Sequence, residues 1–340
     1  MNTEIEGKDK AIIVEGLIKN FEVVEKEQGI IGSLSSLFSP KKKTVRALKG
    51  ITFKINKGEL VGFIGPNGAG KTTTLKILSG LVYPTSGFTQ VINFNPWDRK
   101  PEFLKKISLV MGQKNQLWWD LPAIETFELN KVIYEIKPKE YRESLKELVS
   151  LLDVEKFLKI PVRRLSLGQR MRLELIAALI HKPEILFLDE PTIGLDLVAQ
   201  QKMRDFIVEY NKRNNATILL TSHNMDDLVD LAKRVIVIDK GSLLFDGELS
   251  EIIENFAKEK IITIVLTEGT DMKKLEEVGE VKRIDFPKII LSVPRTAAAV
   301  AAAELLQNFP IGDLTIEEEP IEEIIRRVFR TGGNKRGKNK

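Results

Sequence analysis

The residues GPNGAGKTT, Gly65 to Thr73, follow directly on the apolar run LVGFI and lead into an apolar helical pattern. A strand, a glycine-rich loop and a helix in that order constrain the fold more than any other feature of the chain, because the loop works only when strand and helix hold its two ends. The glycines let successive backbone N–H groups curl round a phosphate without Cβ interference, and the helix start adds the positive end of its dipole. Lys71 supplies a point charge between the β- and γ-phosphates, and the Thr72 hydroxyl suits Mg2+. The pattern predicts a triphosphate cradle built from Gly65, Pro66, Asn67, Gly68, Ala69, Gly70, Lys71, Thr72 and Thr73.

Such a loop needs an α/β sheet around it. Strand-like runs alternate with helical ones from residue 10 to about 257: AIIVEGL, ITFKI, LVGFIG, FTQVI, ISLVMG, EILFLDE, ATILLTS and RVIVID. That order predicts a mainly parallel sheet with helices packed on it. Between ISLVMG and EILFLDE the pattern turns helical, which predicts an all-helical insert over about 115–182. His181 stands at a helix end before Pro183 and is expected to cap that helix. After residue 257 the order becomes strand, helix, strand, strand, helix, strand over 258–330, the split pattern of a small ferredoxin-like α+β domain. A last helix, IEEIIRRVFR, closes it, and residues 331–340 read as a solvated basic tail. With 340 residues, two domains are the natural expectation.

Four apolar residues, ILFL, lead into Asp189 and Glu190. A carboxylate at the carboxyl end of a buried strand lies where α/β sheets bind ligands. Asp189 is expected to hold Mg2+, directly or through water, and Glu190, one residue on, to polarise the attacking water.

These residues resemble one family closely. LSLGQR, Leu165 to Arg170, is similar to the signature motif of ATP-binding cassette (ABC) ATPases; PTIGLD resembles their D-loop, LLTSHNMDD their switch histidine, and VMGQ their Q-loop. The match runs in the family's order from about Ala11 to Asp246. The resemblance implies an α/β P-loop cassette that hydrolyses ATP with Mg2+ in a head-to-tail dimer around two ATP molecules. It implies that His223 orients the water and Glu190, that Gln113 touches ATP and the metal, and that Phe21 stacks on adenine. It also implies that Ser166, Leu167, Gly168 and Gln169 complete the ATP site of the partner subunit, and that Asp196 communicates across the dimer. The residues support the last arrangement independently: SLGQRM opens a helix, Lys71 already serves its own phosphate site, and a second phosphate-facing helix start makes sense in a neighbour's site. Leu167 stands where the family usually has glycine, which limits backbone approach there.

The family further implies a separate membrane permease and a peripheral place on the cytoplasmic face of the membrane. The resemblance is strongest to the prokaryotic drug or polysaccharide exporter branch. GIIGSLSSLFSPKKK, Gly29 to Lys43, lies in a segment inserted at about 24–46; its apolar residues fall at helical spacing with lysines after them. It is expected either to touch the permease or lipid headgroups, or to lie as a surface helix on its own cassette. Trp118 and Trp119, in NQLWWDLP, are of the residue type enriched at interface hot spots, and each is equally compatible with a buried core.

Composition excludes several classes. No apolar run reaches the roughly 20 residues of a membrane-spanning helix, and MNTEIEGKDK lacks the pattern of a secretory leader. Zero cysteines rule out disulfides and thiolate metal sites. Lys plus Arg number 52 against 48 Asp plus Glu, a balance that gives no reason to expect nucleic-acid binding. Two other functions use the same cassette: a mechanical ATPase on nucleic acid or ribosomes, and a regulatory cassette. The first would bring coiled-coil insertions or a second cassette, which this sequence lacks; the second would typically lack Glu190.

Overall fold

The computed structural model describes residues 10–24, 42–112, 116–222, 225–269 and 272–331. Two compact units divide the chain, Met1–Gly247 and Glu248–Lys340.

In the first unit, β1 (Lys10–Val24) and β2 (Lys42–Asn56) form a long antiparallel ribbon. Both strands outrun the sequence expectation. Pairing continues through Phe21↔Val45 to Val24↔Lys42, so residues 42–46, expected in the insertion, belong to a strand. Thr44 and Val45 are β-branched and favour extended backbone. Gly16, at φ 58°, absorbs a register shift between Val14 and Leu17, letting the strand run on. The segment Gly29 to Lys43 lies outside the described residues except for its end in β2.

β3 (Leu60–Ile64) leads through the glycine loop into α1 (Lys71–Leu78), and β4 (Ser86–Val91) pairs antiparallel with β1, giving a sheet of order β2-β1-β4. After α2 (Pro101–Leu104) and β5 (Ile107–Met111) come the helices of the insert: α3 (Ala123–Ile133), α4 (Pro138–Leu152) and α5 (Leu167–Leu179). The chain then returns to the sheet through β6 (Ile185–Asp189), α6 (Leu197–Asn214), β7 (Thr217–Ser222), α7 (Met225–Leu231), β8 (Arg234–Asp239) and β9 (Ser242–Glu248).

The six-stranded sheet has the order β5-β6-β7-β3-β8-β9, with β5, β6, β7, β3 and β8 parallel. β6 and β7 are central and read as near-continuous apolar runs because both faces are covered. Phe63, Phe187 and Leu219 are fully buried in the core. The α/β cassette with a helical insert is the fold expected from the sequence.

His181 is not a helix cap. α5 ends at Leu179 with Ile180 as its C-cap residue. The His181 ring instead stacks on Tyr134 at 3.9 Å, and its Nε2 donates to the carbonyl of Ile107 at 3.2 Å. One imidazole therefore joins α5, the end of α3 and strand β5.

The second unit opens with α8 (Leu249–Phe256), followed by β10 (Glu259–Leu266), α9 (Met272–Val278), β11 (Glu280–Asp285), β12 (Lys288–Pro294), α10 (Ala298–Asn308), β13 (Ile311–Glu318) and α11 (Ile321–Thr331). Its four strands form an antiparallel sheet of order β11-β12-β10-β13, the ferredoxin-like arrangement. α8, expected in the first domain, packs on α11, and Arg327 donates to the Phe256 carbonyl at 2.6 Å. The boundary between units accordingly falls ten residues before the expected one, since an amphipathic helix follows the partner that covers its apolar face.

Candidate functional site

The loop between β3 and α1 is shaped by close approaches that only glycine permits. A Cβ on Gly65 would lie 2.3 Å from the Ile238 carbonyl oxygen, and one on Gly70 2.7 Å from a Leu48 methyl. Gly70 also holds φ 113°, outside the range of an L side chain. Strand β8 and ribbon strand β2 thus press the loop from behind, while Pro66, Asn67 and Gly68 stay exposed at its tip.

Lys71 opens α1 and is only 5% exposed. Its ammonium donates to the carbonyls of Gly65 at 2.5 Å and Pro66 at 3.3 Å, which fixes the charge on the inner side of the loop. Burial pushes its pKa down, and the nearby carboxylates of Glu190 and Asp189 pull it back up. One ammonium beside two carboxylates does not balance them, so a phosphate bound here would call for a further cation such as Mg2+.

Thr72, the next residue, donates to Asp189 Oδ2 at 2.8 Å, and Thr221 donates to Asp189 Oδ1 at 2.7 Å. The second contact follows from strand register: in the parallel sheet Asp189 pairs with Thr221, so a carboxylate and a hydroxyl stand side by side at the strand ends. Hydroxyl and carboxylate oxygens are the hard donors that Mg2+ prefers. Among the described residues no group of three or more His, Cys, Asp or Glu could hold a metal alone. Magnesium characteristically takes one or two protein groups plus phosphate oxygens and water, so this donor set fits it.

Glu190 occupies the left-handed region at φ 54°, uncommon for a residue with a side chain. Its N–H is held by the Thr221 carbonyl at 3.0 Å and lies 3.2 Å from the Thr221 hydroxyl. The turn carries the chain off the strand end directly after Asp189, so the two acidic residues stand at successive positions there. The backbone just past β5 comes close by: a Cβ on Gly112 would lie 2.2 Å from the Glu190 carbonyl oxygen. Gln113 follows directly, but it and His223 lie outside the described residues.

The signature residues form a second cluster. Ser166 is the N-cap of α5, accepting from the Gln169 N–H at 3.2 Å, while Gln169 Oε1 accepts from the Ser166 N–H at 3.0 Å. This reciprocal capping box occupies the Gln169 side-chain oxygen. The Ser166 hydroxyl still has its proton for an acceptor beyond the helix tip. The side chain of Leu167 turns back onto its own chain, with a methyl 2.9 Å from where Gly194 would carry a Cβ. A Cβ on Gly168 would stand 3.3 Å from that of Ala199, so the first turn of α5 sits on the start of α6. Asp196 caps α6 by accepting from the Ala199 N–H at 2.8 Å.

Phe21 lies on the ribbon, 37% exposed, with the Lys19 ammonium 4.7 Å from its ring centroid. Its cross-strand neighbour Val45 is exposed as well, so the two make one open apolar surface. Trp118 and Trp119 are 53% and 49% exposed, which settles the choice between core and surface. The Arg170 guanidinium lies 5.4 Å from the Trp119 ring centroid.

Residues 48–193 match the family model "ABC transporter", and residues 258–317 match "EvrA-like ABC transporter, C-terminal domain". The chain is 32% identical over 233 residues to the ABC transporter ATP-binding protein NatA of Bacillus subtilis, covering 68% of this chain and 94% of that protein. It is 37% identical over 194 residues to the bacitracin transport ATP-binding protein BcrA of Bacillus licheniformis, spanning 57% of this chain and 62% of the relative. Among solved structures, an ATP-binding cassette in a dimeric post-hydrolysis state with ADP and Pi superposes with a TM-score of 0.58 at 25% identity, covering 70% of this chain and 98% of that one.

Proposed function

This chain belongs to the ABC transporter ATP-binding family and is an ATPase, and from that premise we propose that two such cassettes close around two ATP molecules to drive a separate membrane permease. The observation that carries the reading is the convergence of Lys71, Thr72, Asp189, Glu190 and Thr221 at the ends of adjacent strands. The glycine loop wraps the phosphates and Lys71 draws on their charge. Thr72 and Asp189 would hold Mg2+, which when bound would supply positive charge to offset that of the phosphates. Glu190 takes a proton from the attacking water, with His223 orienting both. Phe21 stacks on adenine, and Gln113 reaches the γ-phosphate side.

Ser166 and the Gly168 N–H contact the γ-phosphate held by the other cassette. Because both sides of that contact exist only in the closed pair, ATP favours closure by differential affinity, and hydrolysis removes the bridge. The exposed Trp118 and Trp119 on the helical insert form the surface that meets the permease. Export is the direction proposed, in keeping with relatives named for bacitracin transport and for linearmycin resistance. We place the chain on the cytoplasmic face of the membrane, attached through the permease; among the described residues no helix is long and apolar enough to cross a membrane.

Glu190→Gln is expected to keep ATP binding while turnover falls at least about a hundredfold, as loss of a general base does. Hydrolysis near the parent rate would take Glu190 out of this role. For the permease, the chain should be recovered with the membrane fraction of its own cells together with a polytopic protein, and Trp118→Ser/Trp119→Ser should weaken that recovery. Undiminished recovery would overturn the docking surface.

A further inference from the structure

Ser166, Arg170 and Glu174 are spaced four residues apart and line one face of α5. Ser166 is the tip. One turn on, Arg170 approaches the ring of Trp119, and a further turn on Glu174 is buried, only 3% exposed. The Glu174 carboxylate accepts from two main-chain donors, the Gln116 N–H at 2.9 Å and the Leu117 N–H at 3.2 Å. The same short segment is tied to the sheet, since the Gln116 side-chain amide donates to the Leu109 carbonyl of β5 at 2.7 Å.

A buried carboxylate is costly unless hydrogen-bonded, and bonds to a charged acceptor are among the stronger kind. Removing it leaves two main-chain donors without their acceptor, so the attachment cannot be replaced by apolar packing alone. Segment 116–119 carries both exposed tryptophans, and α5 carries the signature tip.

We infer that Glu174 is a positioning residue of the ATPase: it locks the tryptophan-bearing segment to α5, so that force on that segment displaces Ser166 at the helix tip. A rigid helix transmits the displacement, and Arg170 against Trp119 adds a second attachment one turn closer to the tip. This inference rests on the function proposed above, in which Ser166 faces the nucleotide of the neighbouring cassette.

The test uses the full chain with MgATP and the variants Glu174→Ala and Glu174→Gln. Glu174→Ala should lower kcat about tenfold with KM for ATP moving less than about twofold, the pattern of an interaction needed in turnover and not in binding. Glu174→Gln, whose amide oxygen can still accept one of the two bonds, should fall between Glu174→Ala and the parent. Hydrogen exchange at the Gln116 and Leu117 amides should rise in the same order. In a Glu190→Gln background at saturating MgATP, Glu174→Ala should raise the protein concentration for half-maximal dimerisation about tenfold. Faster exchange with unchanged kcat would make Glu174 a purely structural anchor and overturn the inference. Glu174→Gln is near-isosteric, so parent-like kcat in that variant, with unchanged dimerisation at saturating MgATP in its Glu190→Gln double, would overturn it too. If Glu190→Gln alone fails to dimerise, the proposed function has failed instead.

Discussion

Asp189 receives two hydroxyls, and only one of them was legible in the sequence. Thr72 belongs to a motif whose spacing announces its chemistry. Thr221 sits in ATILLTS, where a threonine at the end of an apolar strand looks like β-branched filler; its role depends on register with Asp189, a non-local fact. The available signal was positional, because Thr221 and Asp189 end apolar strands of similar length. Thr221→Val keeps shape and removes the hydroxyl. It should raise the Mg2+ concentration for half-maximal ATPase activity and lower kcat by about tenfold, in proportion to one lost charge-assisted hydrogen bond. A Mg2+ titration identical to the parent's would show that Asp189 needs no such support. Lys71→Ala should weaken ATP binding itself, measured by equilibrium titration, since its charge lies against the glycine loop. Undiminished affinity would contradict its placement on the phosphates.

Helices and strands were read well where one period dominated and poorly at their ends. β1 and β2 run past the expected limits because each stabilises the other across the ribbon, and a window of one strand does not contain its partner. The end of α5 gives a sharper case. His181 donates through Nε2 to Ile107, while Nδ1 has no partner among the described residues. Burial holds its pKa down to about 4, below the ordinary 6.5. The fold therefore favours the neutral ring, and the unfolded chain binds the proton first. Stability from this group is complete above pH 6.5 and declines as pH falls toward about 4. The loss is on the order of 2–3 kcal/mol by proton linkage. His181→Phe keeps an aromatic ring against Tyr134 and should flatten that part of the stability–pH curve in denaturant titrations. Parallel curves for the two proteins between pH 6.5 and 4 would show that His181 does not charge on unfolding.

At the scale of the molecule, the fold class was legible because alternation of strand and helix is a property of the whole chain, and the motif order located the sheet's working edge. The unit boundary was not, because the apolar face of α8 is answered by Ile324, Ile325 and Val328 far along the chain. A chain ending at Gly247 should accordingly be more soluble than one ending at Ala257, which keeps Ile252 and Phe256 without α11 at a cost of roughly 1.5–3 kcal/mol per exposed side chain. Equal solubility and monodispersity would place α8 with the first unit. The central claim, that two cassettes share each triphosphate, is tested most directly by light scattering of the Glu190→Gln chain with and without MgATP. A mass near 77 kDa, twice 38.4 kDa, is expected only with nucleotide and Mg2+, and a mass that stays at one chain with saturating MgATP bound would contradict it.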